Sequence, residues 1–235
     1  MRHRVALSMA ATALAWATPG SGQACGPHVA GAAPLADVSP NAGRGRSVQR
    51  NTVISVREPV VRITVDEALP LAGILNFSLR NVAQVERYVY ARAAHGGRIQ
   101  RLLIVQFEEV LPGVRGGYDS AVTNPTRIGS HVYETGIGVF NFAESIARNP
   151  GAEAERTCAF LVENGLDPGG DFLVARYARV TDPERRMEII FFYMENLRDL
   201  GLSRAELERA PASDPALAEF RGRALRSFRV EDLGR

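Results

Sequence analysis

The chain has 235 residues, of which 46% are hydrophobic, 28 are basic and 26 acidic, enough for one large domain or two small ones with a packed core. Every basic residue is arginine, so chemistry that needs a lysine amine is excluded: Schiff-base enzymes, Ser-x-x-Lys serine enzymes and Walker-type phosphate loops. The formal charge of +2 equals the contribution of Arg2 and Arg4, leaving the rest of the chain neutral and without a basic block. The electrostatic footprint of nucleic-acid binding is therefore missing.

Arg2 and Arg4 lead an uncharged run from Val5 to Ala17, followed by small and turn-forming residues up to Ala24. This is the layout of a secretory signal peptide, with cleavage expected after Ala24 or, as second choice, after Ala17. The run is too short to span a bilayer as a helix. Residues 25–52 are rich in Gly, Ala, Pro, Ser and Asn and read as a flexible tether, leaving 53–235 as a single domain. The expected location is periplasmic or extracellular.

Cys25 and Cys158 are the two cysteines. An oxidising compartment permits a disulfide between them. The alternative for Cys25 is lipid attachment, against which Gly22 stands where bacterial lipoproteins usually carry a bulky aliphatic residue. Cys158 shares a helical face with Ala154, Leu161 and Val162, the pattern of a small buried thiol.

Val60 to Val65 is β-branched and reads as a strand; the segment that follows, interrupted by Pro70 and Gly73, has no assignable pattern. Two hairpins are expected, at about 85–111 and 172–197, turning at His95-Gly96-Gly97 and Asp182-Pro183-Glu184. Laid over each other without a gap, 90–108 and 177–195 share Tyr-Ala-Arg at the start, an Arg at the bend and a Glu at the end. That likeness suggests an internal duplication. Symmetrical pairing across the second turn would set Arg179 opposite Glu188, and across the first, Arg92 opposite Arg101.

Between the hairpins come a Gly-, Asn- and Pro-rich loop from Pro112 to Arg127, a strand from Ile128 to Val139, and a short helix ended by Asn149-Pro150-Gly151. A helix from about Ala152 to Asn164 carries acidic residues in its first turn. Ser203-Arg204-Ala205-Glu206 is a capping box with Leu202 and Leu207 as its staple, and Asp214-Pro215 opens a last helix with Leu217, Phe220, Leu225 and Phe228 on one side. The fold class is α+β: an antiparallel sheet built from two similar hairpins, with helices packed on one face.

Alternation divides the second strand of each hairpin. Leu103, Val105 and Phe107 match Ile190, Phe192 and Met194 as an apolar face; Leu102, Ile104, Gln106 and Glu108 match Ile189, Phe191, Tyr193 and Glu195 as a mixed one. A mixed face ending in a carboxylate suits a pocket with apolar walls and convergent polar groups. Glu108 and Glu195 are the candidate catalytic pair, since two carboxylates in one dry site have their pKa values pushed apart into an acid and a base. Tyr90, Arg92, Tyr177, Arg179, Tyr193 and Gln106 are the candidate binding residues. The simpler reading leaves each Glu at a strand end, paired with an Arg.

His131 is the histidine best placed for chemistry, in Ser130-His131-Val132-Tyr133-Glu134. Strand neighbours point to opposite faces and no Gly-x-Ser-x-Gly elbow surrounds Ser130, so a hydrogen-bonded structural His is expected. Gly136-Ile137-Gly138 lacks the third glycine of a dinucleotide loop, having Asn141 there, and reads as a bulged strand end. No metal motif or cofactor motif is present in the sequence. Arg221, Arg223, Arg226 and Arg229 make a solvated face of the last helix, the alternative being contact with a membrane surface. The expected function is non-catalytic binding of a small molecule or envelope protein by an exported domain. The alternative is a secreted hydrolase or lyase using Glu108 and Glu195.

Overall fold

The structure, a computed structural model, describes Cys25 and residues 45–234. The expected signal peptide and most of the expected tether lie outside the described residues.

The strands and first helices run β1 (Arg46–Gln49), β2 (Thr52–Ser55), β3 (Val61–Val65), β4 (Leu71–Leu79), β5 (Ala83–Ala93), β6 (Ile99–Val110), β7 (Pro125–Ile128), β8 (His131–Asn141), α1 (Phe142–Arg148) and α2 (Glu153–Glu163). They continue with β9 (Asp171–Val180), β10 (Met187–Asn196), α3 (Leu197–Leu200), α4 (Arg204–Arg209), α5 (Pro215–Arg226) and β11 (Phe228–Asp232). Two antiparallel sheets form: a seven-stranded one in the order β4-β5-β6-β10-β9-β8-β7 and a four-stranded one in the order β1-β2-β3-β11.

The central strands, β6 and β10, are apolar on both faces, so the large sheet must be covered on both. On one side the small sheet and α5 lie over Leu103, Val105, Tyr177 and Phe191, contributing Val53, Ile63, Val65, Phe220 and Phe228. On the other, α1 and α2 place Phe142, Cys158, Phe160 and Leu161 against Leu102, Ile104 and Phe172. Helices therefore cover both faces, not one as expected from the sequence.

Both expected hairpins form, as β5–β6 and β9–β10, and they meet in one sheet through β6 and β10. Their registers differ by one residue. Arg92 is opposite Arg101 as expected, but Glu188 is opposite Val180, not Arg179. The cause is the second turn, where Asp182 Oδ1 accepts the amides of Arg186 (2.9 Å) and Met187 (2.7 Å) while Arg185 takes a left-handed φ of 60°. A one-residue shift moves a strand's side chains to the opposite face. Ile189, Phe191 and Tyr193 consequently join Leu103, Val105 and Phe107, while Phe192 and Met194 lie with Leu102 and Ile104 on the helix side.

Other departures have local causes. Sheet structure is already present upstream of Val53, in β1, where Arg46 is an anchor that hydropathy does not register. Its guanidinium bonds Glu86 Oε2 at 2.8 Å and Ser55 Oγ at 3.2 Å and sits 3.9 Å above the Phe107 ring. Within the unassigned segment, β4 carries a bulge at Gly73, where a Cβ would come within 2.9 Å of the Phe160 ring; the absent side chain lets α2 settle on the sheet edge. Gly136 and Gly138 lie in the unbroken ladder of β8 with β9, so no bulge ends that strand. In the last helix Leu225 is exposed, and Phe228 belongs to β11. The capping box at Ser203 and Glu206 is present as expected, and so is the Asp214 cap of α5.

Cys25 and Cys158 form a disulfide with a Cα–Cα distance of 6.0 Å, tying the start of the described chain to α2. The buried Cys158 is thus half of a bridge, not the lone core thiol its helical face implied. Among the described residues no helix is long and apolar enough to cross a membrane.

Candidate functional site

The register decides the fate of the sequence candidates. Glu108 faces Glu188 on the helix side, near one end of β6, while Glu195 pairs with Arg101 at the other end and on the opposite face. The two carboxylates do not share a site. Glu195 is satisfied where it stands: Arg223 of α5 binds it through Nε at 2.9 Å and Nη2 at 2.8 Å, and the Tyr193 hydroxyl donates to it at 2.5 Å. This is the strand-end ion pair of the simpler reading, closed over by α5.

Tyr90, Tyr177 and Tyr193 are core residues, 0–1% exposed, so they wall no pocket. Arg179 lies 5.6 Å from the Tyr133 ring, and Arg92 is exposed. His131 Nε2 meets Asp232 Oδ1 at 2.7 Å, and the Ser130 hydroxyl donates to the other oxygen of the same carboxylate. Asp232 therefore holds the β7–β8 turn to β11, and Ser130 does not meet His131 in a nucleophile–base arrangement. Among the described residues no group of three or more His, Cys, Asp or Glu is arranged to hold a metal ion.

Gln106 and Glu108 belong to a closed polar cluster under α2. Arg87 of β5, 4% exposed, donates to the Gln106 and Thr157 side chains and to Glu153 Oε2 at 2.5 Å; Gln106 in turn donates to Glu108 Oε1. Burial, then the negative charges of Glu153 and Glu188 and a hydrogen bond to Glu153, push the Glu108 carboxyl up to about 8. Glu188 is raised as well, mainly by burial, with Arg176 at 3.4 Å opposing the shift.

Glu108 Oε2 and Glu153 Oε1 are both buried and without a partner as anions. The hydrogen bond to Glu153 that raises the Glu108 carboxyl implies a proton shared between the two, which leaves the charges of Glu153 and Glu188 facing the guanidiniums of Arg87 and Arg176. The loop over the cluster is itself pinned: Tyr118 and Arg185 exchange backbone and side-chain bonds at 2.8 and 2.6 Å, and Arg186 caps the carbonyls of Val110, Leu111 and Val114. Gly117 permits this approach, since a Cβ there would lie 2.5 Å from the Arg185 carbonyl oxygen.

The open site lies elsewhere. A cleft of about 150 Å³ runs between β8–β9 and the helices α1, α4 and α5. Its apolar surface comes from Ile137, Val139, Leu173, Leu207 and Leu217, and its charged side chains are Glu144, Arg148, Arg204 and Glu208. Position 138 of β8 adds only a glycine backbone to the wall. Arg204 is held at the cleft by Glu144 at 2.9 Å and Asp171 at 2.8 Å, and Asn141 links Asp171 to the cap of α1. That wall is pre-formed, as a binding site requires.

None of the candidate catalytic or binding residues lines this cleft. The available signals were the two glycines of β8, which remove side chains from one strip of sheet, and the staple leucine Leu207. No family model matches the chain, and neither a curated protein nor a solved structure matches it.

Proposed function

We propose that the chain is an exported, non-catalytic binding domain of the bacterial cell envelope, and that its ligand is a small molecule with one compact apolar group. The observation that carries this reading is the cleft beside β8: concave, apolar within, and fringed by charged groups on a fixed frame. The Cys25–Cys158 bridge fits an oxidising compartment. A cavity of roughly this volume accommodates about one benzene-sized group, which sets the scale of what enters.

A panel of small alcohols, amines, carboxylates and amino acids with branched or aromatic groups, screened by saturation-transfer NMR, tests the reading. Binding is expected for some members, and Leu207→Trp, which fills the cleft from α4, is expected to abolish it while the melting temperature holds. A silent panel, or binding indifferent to Leu207→Trp, would sink the proposal.

The second reading, an acid–base hydrolase or lyase, draws on the raised Glu108 carboxyl. Its acid–base partner would then be Glu153 or Glu188, because Glu195 lies on the other face. Substrate would have to displace the Tyr118 loop; a pH–rate profile with a limb near 8 that vanishes in Glu108→Gln is its test.

A further inference from the structure

The charged groups around the cleft are not equivalent. Glu144, Asp171 and Arg204 neutralise one another in a fixed network. Arg148 has no acidic partner: its Nε donates to the Glu144 backbone carbonyl at 3.3 Å and its remaining guanidinium nitrogens bond nothing among the described residues. Glu208 has neither an ion pair nor a hydrogen bond among them. The two line one cleft with opposite charges and do not pair with each other. A third group is unsatisfied, the buried Nε–H of Arg204, a donor.

One free cation with a nearby buried donor, and one free carboxylate, above an apolar surface, make a pattern with a complement. The complement carries an anion, a cation and a compact apolar group on one small frame. A half-enclosed apolar wall strengthens such contacts relative to open water, whereas each charge alone on a surface contributes little.

Building on the cleft reading above, we propose that the ligand is a free zwitterionic amino acid with an apolar side chain of about leucine size. Its carboxylate meets Arg148 and the Arg204 Nε–H, its ammonium meets Glu208, and its side chain rests on Val139, Leu173 and Leu217. A ligand with one charge leaves Arg148 or Glu208 unmatched, and a neutral one leaves both.

Four probes that share a branched apolar group separate these cases by calorimetry: leucine, 4-methylpentanoate, 3-methylbutylamine and 3-methylbutanol. Leucine is expected to bind at least about tenfold more tightly than any of the others. Arg148→Ala should reduce leucine to the level of the amine without weakening the amine, and Glu208→Gln should reduce it to the level of the carboxylate. Both positions are exposed, so the variants should fold. Equal binding of leucine and a singly charged or neutral probe overturns the zwitterion and leaves the cleft as a binding site. No binding by any of the four, with none in the wider panel, removes the cleft reading as well.

Discussion

The Glu108 cluster and the cleft beside β8 both set charged side chains against apolar walls, and they differ in what completes them. Under α2, Arg87, Gln106, Thr157 and Glu153 bind one another, a proton completes the remaining pair of carboxylates, and the Tyr118 loop is fastened over the top. At the cleft, Arg148 and Glu208 have no oppositely charged partner among the described residues. A displaced pKa here marks a place where buried polar groups face one another, and unmatched charge at an open cavity marks a place where they face solvent. On the proposed reading the first is a structural device and the second is where a ligand contributes.

The largest expected effect comes from cutting the cluster. Arg87→Met leaves Glu153, Gln106 and Thr157 without their shared donor and should cost about 3–5 kcal/mol in chemical denaturation. A cost below about 1 kcal/mol would mean that the cluster is not self-completed, and the contrast with the cleft would collapse.

The next effect is on pH dependence. Glu108 has a folded pKa raised above its ordinary value, so the stability it contributes is full below about 4.5, falls as pH rises, and is gone above about 8. Glu188 shifts the same way. Through Glu108 alone, stability should decline between these limits by on the order of 5 kcal/mol at most. Glu108→Gln, which keeps a donor and carries no charge, should flatten the profile; urea melts at pH 5 and 8.5 are sufficient. A wild-type profile that is flat or rises across this window contradicts the shared proton.

Glu195→Gln should cost about 2 kcal/mol, because it weakens the two-point bond of Arg223 that fastens α5 to β10. Its loss measures an ordinary strand-end ion pair against the cluster. The smallest effect is at the cleft: Arg148→Ala and Glu208→Ala should change stability by no more than about 0.5 kcal/mol while removing ligand affinity. A large stability loss in either would show that these charges serve the fold, and the comparison would need to be redrawn.

The hairpins, α2, the capping box and the capped start of α5 were legible in the sequence because each is written locally, in alternation, turn residues and caps. That Glu108 and Glu195 lie apart was not, because the shared site rested on a face assignment that one extra residue of register at the Asp182 turn reverses, and on strand ends that the antiparallel pairing of β6 with β10 sets apart. Nothing in the composition of 177–195 records that Arg185 takes a left-handed conformation there. The burial of both faces of β6 was hidden for a related reason: α1, α2, the small sheet and α5 come from distant parts of the chain, and β1 is anchored by a single arginine in a Gly-rich stretch. The cleft draws its lining from β8, α1, β9, α4 and α5, so no contiguous motif announces it.

The measurement that tests the central claim most directly is a methyl-labelled NMR titration of the protein with leucine, and separately with 3-methylbutanol. Shifts confined to Ile137, Val139, Leu173, Leu207 and Leu217, with Ile104 and Ile190 unmoved, are the expected result. Shifts at Ile104, Ile190 and Thr157 would place the ligand against the Glu108 cluster instead, and an unchanged spectrum with both probes would leave the cleft without the role assigned to it.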